Sequence, residues 1–119
     1  MSSGKHDNLK LRTKAFALRV LKLTAALPRA AEAQVIRWQL AKAGTSVAAN
    51  YRSACRARSK AEFASKIGVA EEEADESVFW LEVIIEGQYQ PAAKVQPLLQ
   101  EANELTAILV SSRRSARSA

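Results

Sequence analysis

The chain has 119 residues, 48% hydrophobic and 25% charged, a composition that supports one globular domain with a real core and excludes wholesale disorder. Its net charge of +6 makes an anionic partner plausible, and its single cysteine, Cys55, rules out an internal disulfide and agrees with a reducing compartment. No apolar run is long enough to cross a bilayer, and the basic start is not followed by the apolar core of a signal peptide, so a cytoplasmic protein without a membrane partner is expected.

Charge is segregated along the chain. Residues 1–30 hold seven basic and one acidic side chain, residues 37–66 seven basic and one acidic, and residues 71–86 seven acidic and none basic. Such a chain can pair an acidic element with a basic one internally, or show opposite faces to neighbours in an oligomer.

Residues 1–10 read as a flexible leader. The first helix is expected from about Leu11 to Leu27, with Phe16, Val20, Leu23 and Leu27 at helical spacing and Leu18, Leu21 and Ala25 widening the same apolar sector. Pro28 should end it near Ala26 or Leu27. A second helix is expected from about Glu32 to Ser53 on the stripe Ile36, Leu40, Ala43, Val47 and Tyr51. Small residues around Gly44 would let a neighbouring backbone approach closely there.

The third helix has the clearest start. In Ser59-Lys60-Ala61-Glu62 the serine hydroxyl can accept from the amide of Glu62 while the carboxylate returns to the amide of Ser59. Phe63, Ile67, Ala70, Ala74, Ser77 or Val78, Leu81 and Ile84 or Ile85 then carry a buried stripe to Gly87, about 40 Å of helix. Pro91 suits the first turn of a fourth helix on Val95, Leu98, Ala102, Leu105 and Leu109, with Pro97 delaying or bending its start. The bundle domain is thus residues 11–110, and residues 111–119, without apolar anchors, form a basic tail expected to fray. The fold class that follows is all-α: an up-and-down four-helix bundle with long antiparallel helices. Trp38, Phe79 and Trp80 exceed one narrow stripe and either complete the core or lie between subunits.

Catalytic chemistry finds little support. Glu71, Glu72, Glu73, Asp75 and Glu76 place carboxylates on shared helical faces, but di-metal bundles of this kind also use histidines, and the one histidine, His6, lies in the leader. Loosely held magnesium needs no histidine, yet a solvated or salt-bridged face is the expected role, so no metal, cofactor or enzymatic activity is assigned. Cys55 lies among Arg52, Arg56 and Arg58 without a partner base, and no histidine-centred triad or glycine-rich phosphate loop occurs.

The run from Arg52 to Lys60 is different in kind. Arg52, Arg56, Arg58 and Lys60, with Lys66 beyond, stand at a helix junction and form a candidate phosphate-contact patch for RNA or DNA. The alternative is structural: Arg52 and Arg56 pair across the hairpin with Glu72, Glu73 or Glu76, while Asn50 hydrogen-bonds across the bundle or caps an irregular end. Ser59 and Glu62 are assigned to the helix cap.

Gln39-Leu40, the run Ser46 to Ser59, Glu62-Phe63, Lys66, Glu72 to Glu76 and Trp80-Leu81-Glu82 together resemble the bacterial four-helix bundle proteins encoded in intervening sequences of 23S ribosomal RNA genes, also called S23 ribosomal proteins. The resemblance covers roughly residues 10–110. It implies an up-and-down bundle assembling as a homopentamer, and a similarity to the accessory variability determinant of diversity-generating retroelements, a basic bundle that binds nucleic acid. Where many members have Glu-Gly and Gly-Ser pairs, this chain has Ser53-Ala54 and Glu72-Glu73. The expected function is a non-enzymatic oligomeric accessory protein binding nucleic acid through basic patches; the alternative is an oligomeric scaffold for a protein partner.

Overall fold

The computed structural model describes residues 2–118 and consists of four helices: α1 (Ser2–Ala25), α2 (Ala31–Cys55), α3 (Lys60–Glu86) and α4 (Ala92–Ser118). Each helix packs on the next, and α4 returns to α1 along a narrower seam, leaving α1 diagonal to α3 and α2 diagonal to α4. The result is an up-and-down bundle measuring 46 × 22 × 20 Å. Both described ends of the chain and the α2–α3 turn lie at one end of it.

The core follows the apolar stripes. Phe16 and Val20 of α1, Leu40, Val47 and Tyr51 of α2, Ile67, Leu81 and Ile84 of α3, and Val95, Leu105 and Leu109 of α4 are fully buried. Ser77, rather than Val78, occupies the stripe of α3; its hydroxyl donates to the carbonyl of Glu73 one turn back, so burial leaves no polar atom orphaned. Leu18, Leu21 and Ala25, expected to widen the α1 core sector, are exposed. Three stripes already close around Phe16 and Val20, and no helix lies beyond α1 and α2 to cover a wider sector.

α1 is helical from Ser2, through most of the segment expected as a leader, and Leu9 is buried there. Met1, Ala119 and the side chains of Ser2, Ser3 and Lys5 lie outside the described parts. α1 ends at Ala25, where the amides of Ala26 and Leu27 donate back to Leu23 and Thr24. Arg37 of α2 then caps it: Nε donates to the carbonyl of Thr24 at 3.2 Å, and Nη2 to those of Leu27 and Pro28 at 2.9 and 3.1 Å. The carbonyl of Thr24 also accepts from the amide of Leu27, whereas the carbonyls of Leu27 and Pro28 lie past the last turn, where a helix C-terminus leaves acceptors to be satisfied from elsewhere. Pro97 lies within α4 on its exposed side, near the start. The hydrogen bond it forgoes would have involved the carbonyl of Ala93, which is exposed to water, so the helix runs on through it.

Candidate nucleic-acid interface

α3 starts as the capping pattern requires on one side: the amide of Glu62 donates to Ser59 Oγ at 3.0 Å. The return contact differs, because Glu62 Oε1 accepts from the amide of Arg58 at 3.3 Å rather than from that of Ser59. The cap therefore also ties down the turn that carries Arg56 and Arg58.

The cationic patch stands at the end of the bundle. Arg52, Arg56, Arg58 and Lys60 are exposed and Lys66 is half-buried. Among the described residues no ion pair joins Arg52 or Arg56 to Glu72, Glu73 or Glu76. The reason is axial position. Arg52 and Arg56 lie within a turn of the end of α2, whereas Glu72 lies about 18 Å up α3, beyond the reach of an arginine side chain. Lys42 is the cation level with the acids, and it draws the Glu73 carboxyl down, although burial first and Glu76 second leave it above its ordinary value. Asn50 donates to the carbonyl of Ser46 at 2.9 Å, within its own helix rather than across the bundle.

The acidic run finds its cation in the tail. Arg113 Nε donates to Glu71 Oε1 at 2.6 Å, fastening the last turns of α4 to α3. Beyond it, Arg114 and Arg117 are exposed, and Arg117 and Lys60 flank a groove of about 690 Å³ floored by Ala61, Ala64 and Gly68. Arg114 and Arg117 were not among the expected contact residues. The signal for them was available: Ser112 and Ala116 continue the α4 stripe beyond Leu109 in small residues, and both are half-buried.

Taken together, residues 6–12, 52–66 and 113–118 form one end of the bundle and carry ten basic and two acidic side chains, and Glu71, Glu101 and Glu104 reach into it to pair with Arg113 and Arg12. Residues 19–37 and 75–100, toward the other end, carry five basic and five acidic. Among the described residues, six cations of the basic end make no ion pair: Arg52, Arg56, Lys60, Lys66, Arg114 and Arg117. The molecule is charged along its long axis, a distribution suited to a polyanion approaching end-on.

A half-open cavity of about 720 Å³ opens at the same end between α1 and α4. His6 stacks on Phe63 with ring centroids 5.9 Å apart and meets the edge of Tyr51 at 6.5 Å. Burial, reinforced by the neighbouring Cys55 thiol, raises the Tyr51 hydroxyl above its ordinary range, so it stays protonated at neutral pH. Above the cavity Arg12 binds Glu101 through two 2.8 Å hydrogen bonds and Glu104 through a third at 2.8 Å, bolting α1 to α4. No group of three His, Cys, Asp or Glu among the described residues is placed to hold a metal ion, and none of their helices is long and apolar enough to cross a membrane.

The fold and its charged end define a class, the small all-helical bundles with a cationic terminus. Within that class, the sequence pattern of the 23S rRNA-intervening sequence protein family matches residues 8–111, and the chain belongs to that family. It is similar in structure to a protein of unknown function from the S23 ribosomal protein family of Bacteroides thetaiotaomicron, with a TM-score of 0.84 and 30% identity over 92% of this chain and 98% of that one. Among curated proteins no relative matches.

Proposed function

We propose that this protein is a non-enzymatic, homo-oligomeric accessory protein that holds the phosphate backbone of a nucleic acid, RNA in the first instance, on its basic end. The observation carrying this reading is the axial charge separation, with six unpaired cations gathered where three helix ends and a turn converge. Backbone contacts are individually weak and add up, so several copies in one assembly, five by the family resemblance, multiply the effect. The ribosomal-RNA context in the family's name and the cations of the basic end support a nucleic-acid partner. They indicate no base-specific readout, and none of the six cations stands in a groove-reading motif.

The test is binding of a structured RNA across a salt series. Replacing Arg114 and Arg117 by glutamine should lower affinity at low salt and reduce the slope of log affinity against log salt by about 2, roughly one for each lost phosphate contact. The same change at Arg29 and Lys94, at the opposite end, should leave the slope within error of the parent. Equal losses from both pairs would mean diffuse charge attraction instead of an interface.

A second reading rests on a separate observation, the exposure of Trp38 and Phe79, which suits a protein-interaction scaffold. The absence of RNA uptake at low salt would favour it.

A further inference from the structure

The walls of the cavity between α1 and α4 bring together an aromatic stack and a row of hydroxyls. His6 of α1 reaches across the end of the bundle to Phe63 of α3, although those two helices are diagonal and do not otherwise pack on each other. The two rings lie 16° from parallel, and Tyr51 of α2 stands at 83° to that of His6, so three helices contribute one ring each to the same place. The α4 wall carries Ser111, Ser112 and Ser115, and Asn8 lines the cavity from α1. Thr106 and Ser118 of α4 bond back to carbonyls of their own helix. Among the described residues, the three cavity hydroxyls and the Asn8 amide make no side-chain hydrogen bond within the chain.

The charge around the cavity narrows what it can hold. Among the described residues no carboxylate lines it. Its mouth continues into a shallower groove of about 450 Å³, which shares Ala107, Ser111 and Ser115 with it and is flanked by Arg114. Arg12, on the cavity wall, is committed to Glu101 and Glu104, so the exposed and unpaired Arg114 is the cation free to meet an anion there. A ligand suited to this lining has a flat apolar face, polar edges and a negative charge a few bonds away. An acyl chain would leave the serines and Asn8 without partners. A nucleobase offers a π-face to the aromatic rings, donors and acceptors along its edge, and a phosphate on its sugar. The volume of about 720 Å³ falls within the roughly 300–1,000 Å³ of small-ligand sites, room for a base with its ribose.

We infer that the cavity takes the base of an unpaired nucleotide, stacked with His6 and Phe63 and bonded at its edge by Asn8 and the α4 serines, while Arg114 holds the adjoining phosphate. This rests on the nucleic-acid reading proposed above and goes beyond it by adding a base-stacking site and a preference for single-stranded over duplex segments. A base within a helix is stacked on its neighbours and cannot enter a side cavity, whereas a loop, bulge or strand end can splay one out. Every base has a π-face, so the site selects strandedness and not sequence.

The probe is a short oligouridine containing one 2-aminopurine, whose emission falls on stacking, used single-stranded and as a blunt duplex with its complement. With the full chain at low salt, the single strand should bind about tenfold tighter than the duplex, the size of one base–aromatic stack, and its emission should fall. His6→Ala should abolish the quenching and the tenfold preference while leaving duplex binding and the salt slope unchanged, since no phosphate contact is lost. His6→Phe should restore both. Ser111→Leu with Ser115→Leu, at two exposed positions, narrows the cavity and should act like His6→Ala; circular dichroism melting checks that each variant folds. Equal binding of the two forms without quenching overturns the base site and leaves the phosphate-binding end standing. Quenching that survives in both His6→Ala and the double leucine variant overturns the base site too. Failure of both forms to bind overturns the nucleic-acid reading as well. Adenosine monophosphate competing as well as the strand would assign the cavity to a free nucleotide and overturn its role in holding unpaired segments.

Discussion

Gly44 is buried against Val20, and a methyl group built on its α-carbon would lie 2.8 Å from both γ-carbons of that valine. Val20 is fully buried and β-branched, so it cannot turn aside. Gly44→Ala gains about 1 kcal/mol of helix propensity but incurs about 1–3 kcal/mol of overpacking. The expected net is a fall in Tm of about 4 °C, read by thermal denaturation. A rise would mean that α1 and α2 separate there at little cost.

Arg12 and Glu101 make a second residue-scale argument, through pH. The Arg12 hydrogen bonds hold the Glu101 carboxyl below its ordinary value of 4.5, so in the folded protein it loses its charge only at lower pH than in the unfolded chain. Its contribution is therefore complete above the ordinary value and disappears as pH falls through the lowered one. Glu73, raised by burial and by Glu76, acts in the opposite sense and relaxes on protonation. Arg12→Gln should cost about 1 kcal/mol at pH 7 and flatten the acid side of the stability profile, measured by urea unfolding between pH 3 and 7. An unchanged acid limb would show that the bidentate contact does not persist in solution.

Helix ends decide the elements. α3 is fixed at its start by Ser59 and Glu62, and that start was legible because capping is a local pattern of a few residues. The end of α1 was legible only in part: Pro28 marks where it stops, but the group satisfying its carbonyls, Arg37, comes from the next helix and leaves no local trace. The far end of α4 depends likewise on a non-local partner. Arg113→Ala should free its last turns, seen as faster amide hydrogen exchange from residue 113 to 118, while the amides around Leu105 keep their protection. Unaltered exchange would mean that Ser112 and Ala116 hold the tail by packing alone.

For the whole molecule, hydropathy and charge had different reach. The buried stripes of α2 and α4 were read residue by residue, because helical periodicity is a property of consecutive residues, while that of α3 was left open between Ser77 and Val78 and between Ile84 and Ile85 and included Phe63, which is only half-buried. The exposed part of α1 was misassigned because a wide apolar sector looks the same in sequence whether all of it meets the core or part of it stays outside. The five expected phosphate contacts all lie at the basic end, yet the ion pairs drawn for Arg52 and Arg56 do not form, since sequence spacing within a hairpin does not state axial height. Once α2 and α3 are laid antiparallel, Lys42 stands opposite the acids and the arginines stand free.

What the amino-acid sequence determined by itself was therefore everything that repeats or caps locally: four amphipathic helices, two of the four core stripes in full, the α3 N-terminus and the sign of each segment. Only the tertiary structure decided how those signs add. Antiparallel packing brings residues 6–12, 52–66 and 113–118 to one end, and Coulomb interactions depend on distance in space rather than along the chain. A chain with modest net charge thereby becomes a bundle with a strongly basic end, and an arginine tail without apolar anchors becomes part of that surface through one carboxylate on a neighbouring helix.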